Sequence, residues 1–227
     1  MSYLTETFIP YSQILIPLLA KGLWVTIYVS AIAFVLSIVL GALLAVVQHF
    51  HVKFLDPFAR VYVSYFRGTP LLIQLFLFFY GLPMVFDIFK NCPKLFALVF
   101  CLGMNSAAYI SESIRGAIES IDKGQYEASL AFGLTHSQMM FKIILPQAAV
   151  AAIPPIVNSC MDIIKMSSLG MTIGIQDIMG EAQLTAATYY MTFETYIMAA
   201  AFYWVLAIVL GRVQRKVETS IGKAYRK

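Results

Sequence analysis

Residues 126–146 read "YEASLAFGLTHSQMMFKIILP", a polar interruption in a chain whose remainder is oily enough for a lipid bilayer. Glu127, His136, Gln138 and Lys142 sit between two apolar regions, and a proline closes the stretch. The pattern is helix, glycine, helix: Glu127, Leu130 and Leu134 recur at helical spacing, and so do Met139, Ile143 and Pro146. Gly133 permits a sharp change of direction or a close backbone approach. Pro146 suits the first turn of a following helix, where its missing N–H costs nothing. A short helix lying across a membrane surface, joined at both ends to spanning helices, can push or pull them together. The same spacing also fits an ordinary surface loop with some helicity.

The rest of the chain decides which setting applies. Of 227 residues, 60% are hydrophobic and 12% charged, with a mean hydropathy of +0.78. Soluble domains run at about 45–50% apolar and about 25% charged. The composition therefore predicts an all-α integral membrane protein, a single transmembrane domain over residues 1–227. A span needs about 20 apolar residues, and about five such stretches occur. They cover about 18–47, 61–85, 95–114, 147–169 and 193–213, with 119–146 as a polar loop. Small or polar positions mark the first (Thr26, Ser30, Ser37, Gly41), and Gly68–Pro70 breaks the second. The fourth is short and begins around Pro154–Pro155. The stretch from Gly170 to Thr192 reads as an external amphipathic helix or a re-entrant piece lying against the bundle.

Cations set the orientation. Lys53, Arg60 and Arg67 follow the first span; Arg115, Lys123 and Lys142 lie between the third and fourth; Arg212, Arg215, Lys216, Lys223, Arg226 and Lys227 follow the fifth. An odd number of spans puts all three clusters on one side, the cytoplasm, leaving the N-terminus outside and the C-terminus inside. The opening "MSYLTETFIPYSQ" lacks the basic start and early cleavage site of a signal peptide, so no processing is expected.

Several function classes drop out. Cys92, Cys101 and Cys160 form no CxxC or Cys/His metal spacing and read as packing residues. No basic stripe interleaved with aromatics suggests nucleic acid. His49, His51 and His136 have neither metal-ligand spacing nor a nucleophile partner, which argues against a membrane enzyme. An ion-coupled carrier would show internal repeats and more spans. No GxxxxGKS or GxxxxGKT phosphate loop occurs, so the chain cannot hydrolyse ATP by that route.

Glu127-Ala128-Ser129, Gly133 and Ile143-x-Leu145-Pro146 have the spacing of the EAA loop of importer-type ABC transporter permeases, with Ser129 in place of a second alanine. "FRGTPLLIQLFLFFYGLP" (66–83), "NSAAYISESIRGAIESIDKGQYEA" (105–128) and "LPQAAVAAIPPIVNS" (145–159) resemble the polar amino-acid permeases of that superfamily. The resemblance implies a type I importer permease fold in a bacterial inner membrane, with a coupling helix at Gln125–Leu134 held in a groove of an ATP-binding subunit. Gln125, Tyr126, Glu127, Ala128, Gly133 and Leu134 are its coupling residues. Glu127 is the expected charged contact, its alternative role being to cap its own helix. The partners implied are a second permease copy (a homodimer) or a paralogue, two ATP-binding subunits, and an extracytoplasmic solute-binding protein. No cofactor binds directly; ATP and Mg belong to the ATPase subunits.

Polar residues inside spans mark candidate substrate contacts. Asn158, Asp162 and Lys165 share a helix face, bordered by Ser159 and Met166. Asp162 and Lys165, three residues apart, either receive the two charges of a zwitterionic amino acid or neutralise each other. Asn105, Tyr109 and Glu112 form a second stripe, and Gln74 is a lone amide in the second span; each lines the path or makes interhelical hydrogen bonds. Permeases similar to basic amino-acid carriers place an acid where this chain has Ser159, and the usual aspartate is replaced by Met166. A neutral polar substrate is therefore expected. The Asn158–Ser159 pair, "SIDKGQ" and the "FYW" of the fifth span resemble L-cystine permeases, with glutamine or a basic amino acid as alternatives.

Overall fold

The computed structural model describes residues 8–225. The N-terminal stretch read for processing lies partly outside them, as do Arg226 and Lys227 of the basic C-terminal cluster. Among the described residues every regular element is helical, as the composition predicts. In order they are α1 (Ile9–His49), α2 (Leu55–Gly68), α3 (Leu71–Phe76), α4 (Leu82–Val85), α5 (Lys94–Glu119), α6 (Lys123–Ala131), α7 (His136–Met139), α8 (Leu145–Met166), α9 (Ile178–Tyr189) and α10 (Thr192–Tyr225). Wide π turns carry α3 into α4 (Leu77–Gly81) and α7 into α8 (Met140–Ile144), and a 3₁₀ turn follows α8 (Ser167–Ile173).

Among the described residues four helical stretches are long and apolar enough to cross a membrane: Ile9–His49, Lys94–Glu119, His136–Ile173 and Thr192–Lys216. Leu55–Gly68 and Leu71–Val85 reach that standard only as a pair, bent by 107°. The break falls at Thr69–Pro70, because proline pushes the residue before it out of the helical region. Gln74 closes the gap by donating from Nε2 to the Thr69 carbonyl (3.0 Å) and hydroxyl (2.8 Å). Elsewhere proline does not end a helix. Pro17 lies inside α1, so that helix starts earlier than the sequence suggests, and Pro154 and Pro155 lie inside α8 rather than at its start. In an apolar setting, abandoning a whole turn of backbone hydrogen bonds costs more than losing one or two donors.

The long helices pack inside out. Along α1 the buried positions are Tyr11, Leu15, Leu19, Gly22, Thr26, Val29, Ser30, Ala33, Ser37, Gly41 and Ala45, a stripe recurring about every three or four residues. Trp24 (72% exposed), Val35, Val39 and Leu43 face outward. A water-soluble helix buries its largest apolar residues; a helix in lipid gains nothing from that, and close approach of small residues is what holds neighbours together.

The chain divides into two compact units, residues 1–35, 69–103 and 161–211 in the first and 36–68, 104–160 and 212–227 in the second. In the first, Val29 and Ala33 pack with Leu71, Leu75, Leu98, Leu102 and Ile163, flanked by Phe78 and Phe100 with ring centroids 4.8 Å apart. A second cluster joins Tyr11, Leu15 and Leu19 to Ile178, Ala182 and Ala199. It seats α9, the helix formed by the Gly170–Thr192 stretch. Asp177 caps α9 by accepting from the Gly180 N–H (2.9 Å) and receives the Tyr203 hydroxyl at 3.4 Å. Thr26 Oγ1 accepts from the Ile178 N–H at 3.3 Å. Burial, with Asp177 only 1% exposed, pushes its carboxyl up to about 6.

In the second unit α2 lies along α5. Tyr62 donates its hydroxyl to the Met104 carbonyl (2.6 Å), and Asn105 Nδ2 donates to the Phe66 carbonyl (3.0 Å). Ile118, Met139, Met140, Ile144 and Ala148 form a local core beneath the polar loop.

Candidate functional site

The polar loop folds into a rigid element whose parts follow from its residues. Asp122 is the N-cap of α6, accepting from the Gly124 N–H at 2.6 Å. Glu127 therefore does not cap its own helix; it is exposed one turn further on. α6 ends in a Schellman closure: the Gly133 N–H reaches the Leu130 carbonyl (2.9 Å) and the Leu134 N–H the Ser129 carbonyl (3.1 Å). This closure needs a left-handed residue, and Gly133 supplies it with φ 76°. α7 then starts in a capping box. Thr135 Oγ1 accepts from the Gln138 N–H (3.3 Å), and Gln138 Oε1 accepts from the Thr135 N–H (2.9 Å).

The element has a seated side and a free side. Tyr126 packs on the Ile118–Met139–Ile144 core, with its hydroxyl 3.5 Å from the Ile118 carbonyl. Ser129 is buried and donates to the Gln125 carbonyl (2.6 Å), so its departure from the alanine of the motif leaves no unpaired hydroxyl. Gln125, Glu127, Ala128 and Gly133 are exposed, and Leu134 is half-buried. Phe132 is 88% exposed, an aromatic ring standing out of a polar turn. Sequence reasoning passed over it, although an aromatic directly before the hinge glycine was visible in "LAFGLT".

The residues expected along the substrate path separate into groups. Asn105, Tyr109 and Glu112 lie on one stretch of α5, and Arg67 at the end of α2 ties two of them together. Its Nη1 donates to Glu112 Oε2 at 2.8 Å, and its guanidinium lies 5.7 Å from the centre of the Tyr109 ring. Arg115 also holds Glu112, at 3.1 and 3.0 Å, and donates to Glu119 at 2.6 Å. Glu112 is thus committed to ion pairs, and Asn105 is buried in a backbone contact. Arg67 was the missed member, signalled only by its place in "FRGTP". Asn158 is exposed on α8 and accepts a long bond from Gln214 Nε2 (3.5 Å); Ser159 turns its hydroxyl onto the Pro155 carbonyl (3.1 Å).

In the other unit, Asp162 and Lys165 pair with each other at 2.7 Å, their side chains 58% and 65% exposed. Met166 packs at the edge of the Leu75–Ile163 core, and Gln74 is buried against Thr69. Asp162 and Lys165 therefore neutralise each other while facing outward from a spanning helix.

Residues 10–223 match the family model described as binding-protein-dependent transport system inner membrane component. The chain belongs to this family of inner-membrane permeases. It is 41% identical over 215 residues to the "Probable amino-acid ABC transporter permease protein PatM" of Vibrio harveyi, covering 95% of this chain and 96% of the relative. The L-cystine transport system permease protein TcyL and the arginine transport system permease protein ArtQ, both of Bacillus subtilis, are each 35% identical, over 92% and 91% of this chain and 89% and 93% of theirs. A crystal structure of an amino acid ABC transporter with histidines superposes with a TM-score of 0.84 at 32% identity, covering 90% of this chain and 94% of that one. The resemblance to amino-acid permeases read from the loop and its flanks therefore holds, and so does the all-helical importer fold. The permease is a multi-pass protein of the inner membrane.

Proposed function

We propose that this permease is the membrane-spanning subunit of an ATP-driven importer of a neutral polar amino acid, with L-cystine as the preferred substrate. The observation that carries the proposal is the loop's construction: a capped, two-helix element seated on the end of α5 and continuous with α8, with Glu127 and Phe132 presented outward. Two ATP-binding subunits, carrying ATP and Mg, grip this element in a groove. Their closure moves α5 and α8 together and switches the path from outward- to inward-facing. The permease supplies no hydrolytic chemistry.

The outward-facing Asp162–Lys165 pair supports a second permease copy. A charged side chain exposed to hydrocarbon costs on the order of 2.5–3.5 kcal/mol even by lenient measures. This face is covered by a homodimer partner or lines a watery path. Orientation follows the cations: of the sixteen Lys and Arg, only Lys21, Lys90, Lys94 and Lys165 fall in the unit without the loop. The loop and C-terminus are cytoplasmic, the N-terminus is outside, and an extracytoplasmic binding protein delivers the substrate.

Selectivity rests on charge. Ser159 brings no carboxylate, and Asp162 is already balanced by Lys165, which leaves no uncompensated acid on this face of α8 for a cationic side chain. The test is ATP hydrolysis by the reconstituted complex with its binding protein, across cystine, glutamine, arginine and glutamate. Stimulation by cystine supports the reading; stimulation chiefly by arginine overturns the charge argument. Phe132→Ala is expected to weaken co-purification of the ATPase without lowering the amount of folded permease.

A further inference from the structure

A charged cleft of about 460 Å³ opens where the ends of α1 and α5 meet the start of α2. Its walls carry His49, His51, Arg60, Glu112, Arg115 and Glu119. Both signs of charge are present and partly paired, yet the exposed members keep hydrogen-bonding capacity to spare. Arg60 uses Nε and Nη2 on the Asp56 carboxylate, at 2.9 Å each, yet its side chain stays 61% exposed. His51 places Nδ1 3.0 Å from Asp56 and its side chain is 73% exposed. Glu119 meets Arg115 through one oxygen and is itself 61% exposed. Arg60 and the histidines thus offer hydrogen-bond donors, while Glu119 offers an anionic acceptor. A simple anion satisfies only the first group; a ligand bearing both an anion and an ammonium satisfies both.

The outer face of the same helix narrows the ligand's class. Phe54, Phe58, Val61 and Tyr65 are 77%, 76%, 69% and 45% exposed and recur every three or four residues from the turn into α2. Asp56, Ala59 and Val63, on the opposite face, are the buried ones. The helix therefore presents an aromatic and aliphatic stripe outward, with a polar cleft at its first turn. Amphipathic helices with this division lie against the boundary between headgroups and acyl chains, and basic pockets between spanning helices bind lipid headgroups.

We propose that this cleft is a binding site for the headgroup of phosphatidylethanolamine. The phosphate lies against Arg60 and the two histidines, the ammonium against Glu119, and the acyl chains along Phe54, Phe58, Val61 and Tyr65. A free zwitterionic amino acid shares the headgroup's charges but makes no use of the stripe. The site rests on the chain spanning a membrane and not on which substrate it carries.

Native mass spectrometry of the full-length purified permease, titrated with phosphatidylethanolamine, phosphatidylcholine and phosphatidylglycerol, tests this. Phosphatidylcholine keeps the positive charge but has no N–H donors; phosphatidylglycerol lacks the cation. One phosphatidylethanolamine per chain is expected, held about tenfold more tightly than the other two, the size of a lost charge-assisted hydrogen bond. Glu119→Gln should bring it down to the phosphatidylglycerol level, and Arg60→Gln should weaken all three lipids. Lys142→Gln, in the same unit but outside the cleft, should change nothing. Equal retention of the three lipids, or no response to Glu119→Gln, overturns the proposal. So does binding of inorganic phosphate or free cystine as tight as that of the lipid. Glu119→Gln leaves the Asp56–Arg60 pair intact, so the test survives if Arg60→Gln misfolds. Loss of the ATPase, the failure expected if the importer reading is wrong, leaves this readout unaffected.

Discussion

Replacing Gly133 by alanine isolates the left-handed backbone requirement of the polar loop. The residue has φ 76°, and a Cβ added there meets nothing within 4 Å. Steric crowding inside the chain is therefore absent, and the cost is conformational, about 1–2 kcal/mol for an L-residue in left-handed geometry. The element would relieve that cost by opening the Schellman closure, which gives up the Gly133–Leu130 and Leu134–Ser129 bonds and frees α6 from α7. A penalty of 1–2 kcal/mol shifts that local equilibrium by a factor of about 5–30. Hydrogen exchange should show it directly, as faster exchange at Gly133 and Leu134 and no change in α1. Binding-protein-stimulated ATP hydrolysis should fall, because a loosened lever transmits less. Gly133→Asn is the decisive control, since asparagine tolerates left-handed backbone. It should recover most of the coupling lost in the alanine variant. If asparagine is as damaging as alanine while exchange stays slow, backbone conformation is not the reason for the glycine. A partner approaching too closely for any side chain would then be the cause.

Further outcomes follow from individual contacts. A Cβ at Gly22 would lie 2.6 Å from the Asp177 carbonyl oxygen and 2.8 Å from the Ile178 nitrogen, so Gly22→Ala should cost about 1–3 kcal/mol and lower the Tm. Gly211→Ala, where nothing lies within 4 Å, should leave the Tm unchanged or raise it. Burial raises the Asp177 carboxyl to about 6 in the folded chain from the ordinary 3.8, so the folded state binds more protons between those values and stability falls as pH rises through them. The loss is about 3 kcal/mol at about 1.4 kcal/mol per unit; thermal unfolding of Asp177→Asn, compared with wild type at about pH 4 and pH 7, should lack it. Lys165→Met leaves Asp162 without its partner and should shift ATPase stimulation toward cationic amino acids. The double variant Asp162→Asn/Lys165→Met should assemble better than either single one; equal yields for all three would refute a pairing role.

What the sequence made legible was what depends on composition or on single punctuating residues. The apolar spans, the glycine between two short helices and the interruption at Gly68–Pro70 all follow from local rules that lipid does not change. Two features escaped. Pro154 and Pro155 read as the start of a helix because proline ends helices in water, where freed carbonyls find solvent; inside an apolar span that refuge is gone and the helix runs on. The face of α1 that would be buried was also hard to extract from hydropathy, since the helix is apolar all round. The series of small and polar positions at Thr26, Ser30, Ser37 and Gly41 marked it instead, and all four are buried. At the site, the stripe Asn105–Tyr109–Glu112 was visible, but its governing residue, Arg67, lies far away in sequence and could be joined to it only by the fold.

The charges of α8 stand at the end of the helix away from the polar loop. The helix starts at Leu145, directly after the wide turn that leaves the coupling element, and ends at Met166, one residue beyond Lys165. If an ATPase drives the loop as proposed, Asn158, Asp162 and Lys165 are carried by the helix that receives its stroke, with Pro154 and Pro155 between. Proline removes backbone donors, so the helix is softest at the point separating its driven end from its charged end. A rotation imposed below can be absorbed there as bending, or passed on as a turn of the Asp162–Lys165 face. The pair's mutual neutralisation makes the second outcome affordable: a charge-balanced face can move between water and a protein surface without exposing a lone ion at either. An unpaired Asp162 would tie the helix to whichever state supplied a cation. On this reasoning Lys165→Met should do more than alter selectivity; it should also slow the transport cycle for whichever substrate is bound.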